Sequence, residues 1–181
     1  YYVIHYNADI IDYGTYQDGN INLASPSANG SHVGGYIVFK EGTQQVDLRI
    51  GSSFISYEQA SYNLEKEIPT TASFEDTKEK VKDSWNHYLS KVQLEGASKD
   101  ELQIYYTALF HTLQFPRETS EHGKYFSAFD SKIHEGVSYN DYSLWDTFRA
   151  EHPWLQLIAP ERVNDMIQSL VLMSNARRRL P

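Results

Sequence analysis

The chain contains no cysteine, no apolar run long enough to cross a membrane and no excess of basic residues. Without cysteine there are neither disulfides nor a thiol nucleophile, and without a long apolar run no transmembrane helix is predicted. The formal net charge of −8 argues against nucleic acid or an anionic membrane as the main partner. The motifs GxSxG, HExxH and GxGxxG and the P-loop are also missing, so none of their chemistries is indicated.

Tyrosine, by contrast, is abundant, with 14 in 181 residues. Such rings serve cores, and they also suit carbohydrate surfaces, because a flat apolar face meets a sugar ring while a polar tip bonds a hydroxyl. The first residues include neither an initiating Met nor the basic segment of a signal peptide, so we expect the chain to be part of a longer polypeptide. The short basic cluster Arg177–Arg179 is interpreted as a solvated end or a cloning scar.

The first 56 residues have the composition and periodicity of strands. The segment VDLRIG alternates apolar and charged residues, which predicts a half-buried strand. Further strands are predicted at GGYIVFK and YYVIHYNADI, and EGTQQ is predicted to connect GGYIVFK to VDLRIG as a hairpin. Residues 14–35, rich in Gly, Ser and Asn, are interpreted as a long loop or short strands. Together these segments predict the end of an antiparallel β-sandwich.

Three capping-box patterns then predict helices in succession: SYEQ from Ser56, SFED from Ser73 and SKDE from Ser98. The first helix is expected to stop before Pro69, and the third before Pro116. The second and third carry apolar stripes: Val81, Trp85, Tyr88 and Val92; Leu102, Tyr105, Tyr106, Leu109 and Leu113.

The glycine-bounded segment from Gly123 to Tyr139 breaks the helical rhythm and predicts an excursion from a helical array. A helix starting near Ser143 should follow, and Pro160 suits the first position of a last helix. The stripe of that last helix is Val163, Met166, Ile167 and Leu170. The fold class predicted from this order is α+β.

The segment SLWDTFRAEHPW supports two interpretations. In the first, Ser143 and Asp146 form a fourth capping box and Arg149 pairs with Asp146 on the surface. In the second, Trp145, Arg149 and His152 share one helix face, and the indole and the Asp146 carboxylate point into a pocket, where carboxylates commonly hold polyols. Spacing alone leaves both open. A kink is expected at Pro153.

Asp130 also has two interpretations, as a turn former bonded to its own backbone or as a pocket carboxylate. The pair His134–Glu135 is a weak metal pattern, since zinc sites use three or four ligands. His111 fits an interface histidine. Glycoside hydrolysis requires two opposed carboxylates, and no spacing of the acidic residues nominates such a pair.

Several blocks of the sequence resemble glycoside hydrolase family 92: YYTALFHTLQFP, KYFSAFD, and most specifically SLWDTFRAEHP within YNDYSLWDTFRAEHPWLQLIAPERVNDMIQSL. The resemblance extends over about residues 35–175. It implies a calcium-dependent exo-α-mannosidase that inverts anomeric configuration, with an N-terminal β-sandwich, a helical linker and an (α/α)6 toroid. The domain boundaries expected from it are residues 1–56 for the end of the sandwich, 57–96 for the linker and 97–181 for the start of the toroid.

The resemblance also implies site residues. Trp145 and Asp146 correspond to part of the mannose-binding subsite, with Arg149 and Asp130 as companions. The general acid, the general base and the main calcium ligands are expected outside this chain. The implied partners are α-mannoside glycans, N-glycans or mannan, and the implied location is secreted, periplasmic or at the cell surface. A non-catalytic carbohydrate-binding or scaffold module of similar architecture is the alternative, as is an (α/α)6 enzyme for another sugar.

Overall fold

Five strands precede the first helix in the computed structural model, which describes residues 1–177. They are β1 Tyr2–Tyr6, β2 Ile10–Gln17, β3 Asn20–Leu23, β4 Val33–Phe39 and β5 Leu48–Ser52. Strand β2 is central in an antiparallel sheet of order β3-β2-β4, and β1 forms a separate sheet with β5. Strands are thus confirmed at GGYIVFK and VDLRIG, while YYVIHYNADI contains one strand and the beginning of the next.

The hairpin predicted at EGTQQ is wrong, because β4 pairs with β2 whereas β5 pairs with β1. The side chain of Asn7 helps to fix this arrangement. Its Oδ1 accepts from the Asp47 backbone N–H at 2.9 Å, and its Nδ2 donates to the Asp47 carboxylate at 3.0 Å. These two hydrogen bonds align the residue after β1 with the residue before β5, a long-range pairing that turn-residue chemistry alone does not reveal.

Tyrosine rings cover glycines across the β2–β4 pair. Tyr16 lies opposite Gly34, and Tyr36 lies opposite Gly14. A Cβ atom built on Gly34 would come within 2.1 Å of the Tyr16 ring, and one on Gly14 within 2.7 Å of Tyr36. Glycine is therefore required at both positions so that the rings can lie flat on the sheet, which is one way in which the abundant tyrosines are used.

Helices α1 Tyr57–Glu67, α2 Phe74–Leu89 and α3 Lys99–Thr112 follow at the predicted positions. Ser73 and Ser98 form complete capping boxes, each accepting from the N–H of the third helical residue, whose carboxylate accepts in return. Ser56 also caps its helix, through a 3.1 Å bond from the Gln59 N–H. The expected ends before Pro69 and Pro116 are confirmed.

Short strands β6 Arg117–Glu118, β7 Lys124–Ser127, β8 Lys132–Glu135 and β9 Tyr139–Asn140 form the excursion after α3. Strands β7 and β8 make an antiparallel hairpin, and β6 pairs with β9. Three helices complete the described chain: α4 Leu144–Thr147, α5 Glu151–Ile158 and α6 Pro160–Arg177. Pro160 occupies the first position of α6, as expected.

The main core forms where α3, β9 and the last helices meet. Its buried members are Leu109, Leu113, Tyr139, Tyr142, Leu155, Ile158, Ala159, Met166 and Met173. Trp85 and Tyr88 of the α2 stripe pack against this cluster, whereas Val81 of the same stripe is exposed. Leu155 is fully buried, which stabilises the fold by roughly 1.5–3 kcal/mol relative to an exposed leucine.

The chain divides into two compact units, one comprising Val3–Gly51 and the other the residues from Ser52 onwards together with Tyr1–Tyr2. Within the first unit the alternation of β5 is present, but Leu48 and Ile50 are each 55% exposed. The expectation that these side chains lie on a half-buried face is therefore wrong for this structure. The domain limits at 1–56, 57–96 and 97–181 stay a prediction. Arg178 and Arg179 lie outside the described residues.

Candidate functional site

A sharp turn leads into α4. Asp141 and Ser143 both have left-handed backbones, with φ values of 63° and 43°. Between them Tyr142 is buried and donates from its hydroxyl to the Met166 carbonyl at 2.6 Å. Burial raises the pKa of Tyr142 to about 12, which keeps this donor protonated. The anchored tyrosine thus fixes the position from which the WDT residues project.

Ser143 does not cap α4. Its side chain makes no capping hydrogen bond, and its carbonyl instead accepts from the N–H groups of Asp146 and Thr147, at 2.9 and 3.1 Å. An N-cap residue needs an extended backbone to bring its hydroxyl onto the third helical N–H. The left-handed Ser143 lacks that backbone, so the capping-box interpretation of Ser143 and Asp146 is wrong.

The predicted single helix is also wrong, because α4 ends at Thr147 and α5 begins at Glu151. Thr147 fixes this break: its hydroxyl donates to the Tyr142 carbonyl at 2.8 Å and lies 2.9 Å from His152 Nε2. Trp145 and His152 therefore belong to different helices and share no face. Pro153 lies in the first turn of α5, where no intrahelical partner for its N–H is needed, so it causes no kink.

Trp145 is highly exposed, with 80% of its surface accessible. It lines an open concavity of 430 Å³ together with Phe129, Asn140 and Tyr142. Asp146, its neighbour on the same turn, is exposed, and its carboxylate makes no hydrogen bond or ion pair with any residue of the described part of the chain. The turn therefore exposes an indole that lines this concavity and an unpaired carboxylate that is not among its lining residues.

Arg149 lies in the break between α4 and α5 and is exposed. Its guanidinium lies over the Phe148 ring, 5.4 Å from the centroid. The surface ion pair expected between Asp146 and Arg149 is not formed among the described residues. Helix α4 ends at Thr147, so Arg149 is not on the same helix as Asp146 and the i, i+3 spacing does not bring the two side chains together.

Asp130 combines both of its interpretations. Its Oδ1 accepts from the Lys132 backbone N–H at 3.2 Å, as a turn former does. Its two oxygens also lie 3.1 and 2.9 Å from His134 Nε2, and the carboxylate lines a cavity of 400 Å³. Burial raises the pKa of the Asp130 carboxyl, but hydrogen bonds from Ser127, His134 and the Lys132 backbone outweigh it, so the net pKa lies below the usual value.

Two further acidic residues were not singled out from the sequence. Glu121 is buried, and its carboxylate accepts from Ser53 Oγ, the Phe54 N–H and Asn63 Nδ2. Glu151 is half-buried with one oxygen that has no partner among the described residues, and burial raises the pKa of this carboxyl. Glu121 has no sequence pattern of its own, because its donors come from residues 58 to 68 positions earlier in the chain.

Within residues 1–177 no group of three or more His, Asp or Glu side chains could hold a metal ion. His134 and Glu135, the weak metal pattern, are neighbours on β8 and alternate to opposite faces of the strand. The described residues therefore offer no cluster of carboxylates that fits a calcium ion.

The family model for the glycosyl hydrolase family 92 catalytic domain matches residues 59–181. The chain belongs to this family. Its backbone is similar to that of an inverting mannosidase of family 92 from Bacteroides thetaiotaomicron, with a TM-score of 0.93 and 32% identity over 99% of this chain and 25% of that one.

More distant solved structures have the same fold. An α-mannosidase of family 92 from the same organism, in complex with mannoimidazole, gives a TM-score of 0.81 at 20% identity, over 96% of this chain and 24% of that one. Another family 92 glycosyl hydrolase gives 0.82 at 22% identity, over 95% of this chain and 23% of that one. No curated protein matches. The chain spans about a quarter of the length of these structures, and none of its described helices is long and apolar enough to cross a membrane.

Proposed function

We propose that this chain is part of an inverting exo-α-mannosidase that removes terminal α-linked mannose from N-glycans or mannan. Family membership and the 32% identity to an inverting mannosidase over 99% of the chain support this assignment. The sandwich, helical linker and (α/α)6 toroid are proposed as the architecture of the whole protein. Since the substrate glycans lie outside the cytoplasm, we propose a secreted, periplasmic or cell-surface location.

The chain contributes part of the mannose-binding subsite through Trp145 and Asp146, with Arg149 and Asp130 as companions. One observation carries this proposal: the Asp146 carboxylate is left without a described partner beside an exposed indole, on a turn held in place by buried Tyr142. A free carboxylate accepts hydrogen bonds from two sugar hydroxyls, and an indole face packs on the apolar face of the ring.

Substitution in the protein that contains this chain tests the subsite. Asp146→Asn should lower kcat/KM for α-mannosides by roughly 10- to 150-fold, equivalent to losing a hydrogen bond to a charged group of roughly 1.5–3 kcal/mol. Trp145→Ala should also lower it, because the indole face that packs on the sugar ring is removed. Because both side chains are exposed, the melting temperature should not change. Glu75→Gln, which removes an exposed carboxylate paired with Lys78 on α2, is the matched control. Near-normal turnover in both site variants would contradict the proposal.

Calcium dependence is proposed for the whole protein, with ligands outside the described residues. Calcium prefers oxygen ligands, and sugar hydroxyls can supply some of them. Removal of calcium by a chelator should abolish hydrolysis, and added calcium should restore it. Hydrolysis that is insensitive to the chelator would contradict this part of the proposal.

A further inference from the structure

A second cavity adjoins the one lined by Trp145. It lies between the β7–β8 hairpin and the C-terminal half of α6, with Tyr125, Asp130, His134 and Asn175 among its lining residues. Its volume of 400 Å³ is within the roughly 300–1,000 Å³ typical of small-molecule sites. Phe129, Asn140 and Met173 line both this cavity and the Trp145 concavity, so ligands in the two would be neighbours.

The Asp130 carboxylate is held rigidly in this cavity. His134 Nε2 lies within hydrogen-bonding distance of both oxygens, and the imidazole stacks on the buried Tyr125 ring at 5.4 Å between centroids. Tyr125 and His134 are also cross-strand partners in the hairpin. A carboxylate offers about four lone-pair sites, so Asp130 keeps acceptor capacity for ligand hydroxyls after bonding His134 and the Lys132 N–H.

The chemistry of the lining favours a neutral polyol. Besides His134, Asp130 is the one acidic or basic side chain among the described lining residues, and none of these residues is a lysine or arginine that could pair with a phosphate or carboxylate. Asn140 and Asn175 add amide groups, and Phe129 adds an aromatic edge beside them. Aromatic surface combined with a few oriented polar groups is the usual composition of a sugar pocket.

We propose that the Asp130–His134 cavity binds the second sugar of the glycan, the one linked to the terminal mannose at Trp145, and that His134 is the positioning residue for Asp130. The inference rests on the proposed function and revises one part of it. Asp130, proposed above as a companion of Trp145 and Asp146, is assigned to the second sugar and not to the terminal mannose, because it lines the other cavity. Phe129 and Asn140, shared by both cavities, lie where the two sugars would join.

The test compares two probes on the whole protein: kcat/KM for an α-linked mannobiose, which needs both pockets, and the inhibition constant of free mannose, which needs one. His134→Leu and the near-isosteric Asp130→Asn should lower kcat/KM for mannobiose about tenfold or more and leave the inhibition constant of mannose unchanged. His134→Gln, which keeps an N–H donor, should retain most of the activity. His122→Asn, which removes a histidine paired with exposed Glu67, is the matched control and should have no effect.

Trp145→Ala separates failure of this inference from failure of the proposed function. Suppose that Trp145→Ala lowers kcat/KM for mannobiose and weakens inhibition by mannose. If His134→Leu and Asp130→Asn then change neither quantity, or change both in parallel, the second-sugar pocket is refuted and the mannosidase assignment stands. If the wild-type protein neither cleaves mannobiose nor binds mannose, both fail together. In Asp130→Asn the remaining side-chain oxygen can still accept the hydrogen bond from the Lys132 N–H, so this variant should fold. It therefore tests the proposal even if His134→Leu does not fold.

Discussion

Replacing Glu121 with alanine removes a buried carboxylate that accepts three hydrogen bonds. The donors are Ser53 Oγ at 2.5 Å, the Phe54 N–H at 2.7 Å and Asn63 Nδ2 at 2.9 Å. A hydrogen bond to a charged group contributes roughly 1.5–3 kcal/mol, and contributions that share one group are not additive. We therefore expect Glu121→Ala to lower the free energy of unfolding by roughly 3–5 kcal/mol, because three neutral donors lose their charged acceptor at once.

The assay is urea unfolding combined with hydrogen exchange at the Phe54 amide, which loses its acceptor in the variant. Glu67→Ala is the matched control, because it makes the same charge change at a carboxylate that is 65% exposed and bonded only on the surface to His122. Glu67→Ala should lower the free energy of unfolding by less than about 1 kcal/mol and leave the Phe54 amide protected from hydrogen exchange. Equal losses in the two variants, or unchanged exchange at Phe54 in Glu121→Ala, would refute the reasoning.

Two further predictions concern the segment that contains α4 and α5 and the caps of the helices. Burial raises the pKa of Glu151, because the charged carboxylate is poorly solvated in the folded state. Below the unfolded-state pKa of 4.5 the carboxyl is protonated in both states and stability is at its full value. As the pH rises through the folded-state pKa, that stability is lost. Glu151→Gln should therefore raise the melting temperature at neutral pH and leave it unchanged below about pH 4; an equal shift at both would exclude this cause. Ser98→Ala should cost about 1 kcal/mol of stability in thermal unfolding, whereas Ser143→Ala should stay within about 0.5 kcal/mol; equal costs would show that Ser143 is a cap after all.

Local patterns predicted α1, α2, α3 and the start of α6, because the determinants of these helices are themselves local. A serine followed three residues later by a carboxylate starts α2 and α3, and prolines follow α1 and α3 closely. The α+β class was predicted from the same patterns, and the segment from Gly123 to Tyr139 was predicted to leave the helical array, although not as a β-hairpin. These features depend on backbone conformations and side-chain bonds within about four residues, which a sequence displays directly.

Pairings between distant segments could not be predicted in the same way. Strand β5 joins β1 through Asn7 and Asp47, which are 40 residues apart, and Glu121 meets Asn63 across 58 residues. Both depend on side chains that have many alternative partners in the unfolded chain. The division of Asp130 and Trp145 between two adjoining cavities has the same origin, because α6 and the β7–β8 hairpin together shape the cavity that contains Asp130.

The backbone of Ser143 contradicts one of the two interpretations of Asp146, the capping box. Ser73 and Ser98 have φ values of −79° and −66° with extended ψ, and both cap their helices, whereas Ser143 with the same spacing has φ 43° and does not. Since Ser143 offers its carbonyl to the first turn instead of its hydroxyl, nothing in the helix requires a carboxylate at position 146. Helix capping therefore does not explain why aspartate stands beside the exposed Trp145, which supports the proposal that Asp146 contacts a ligand.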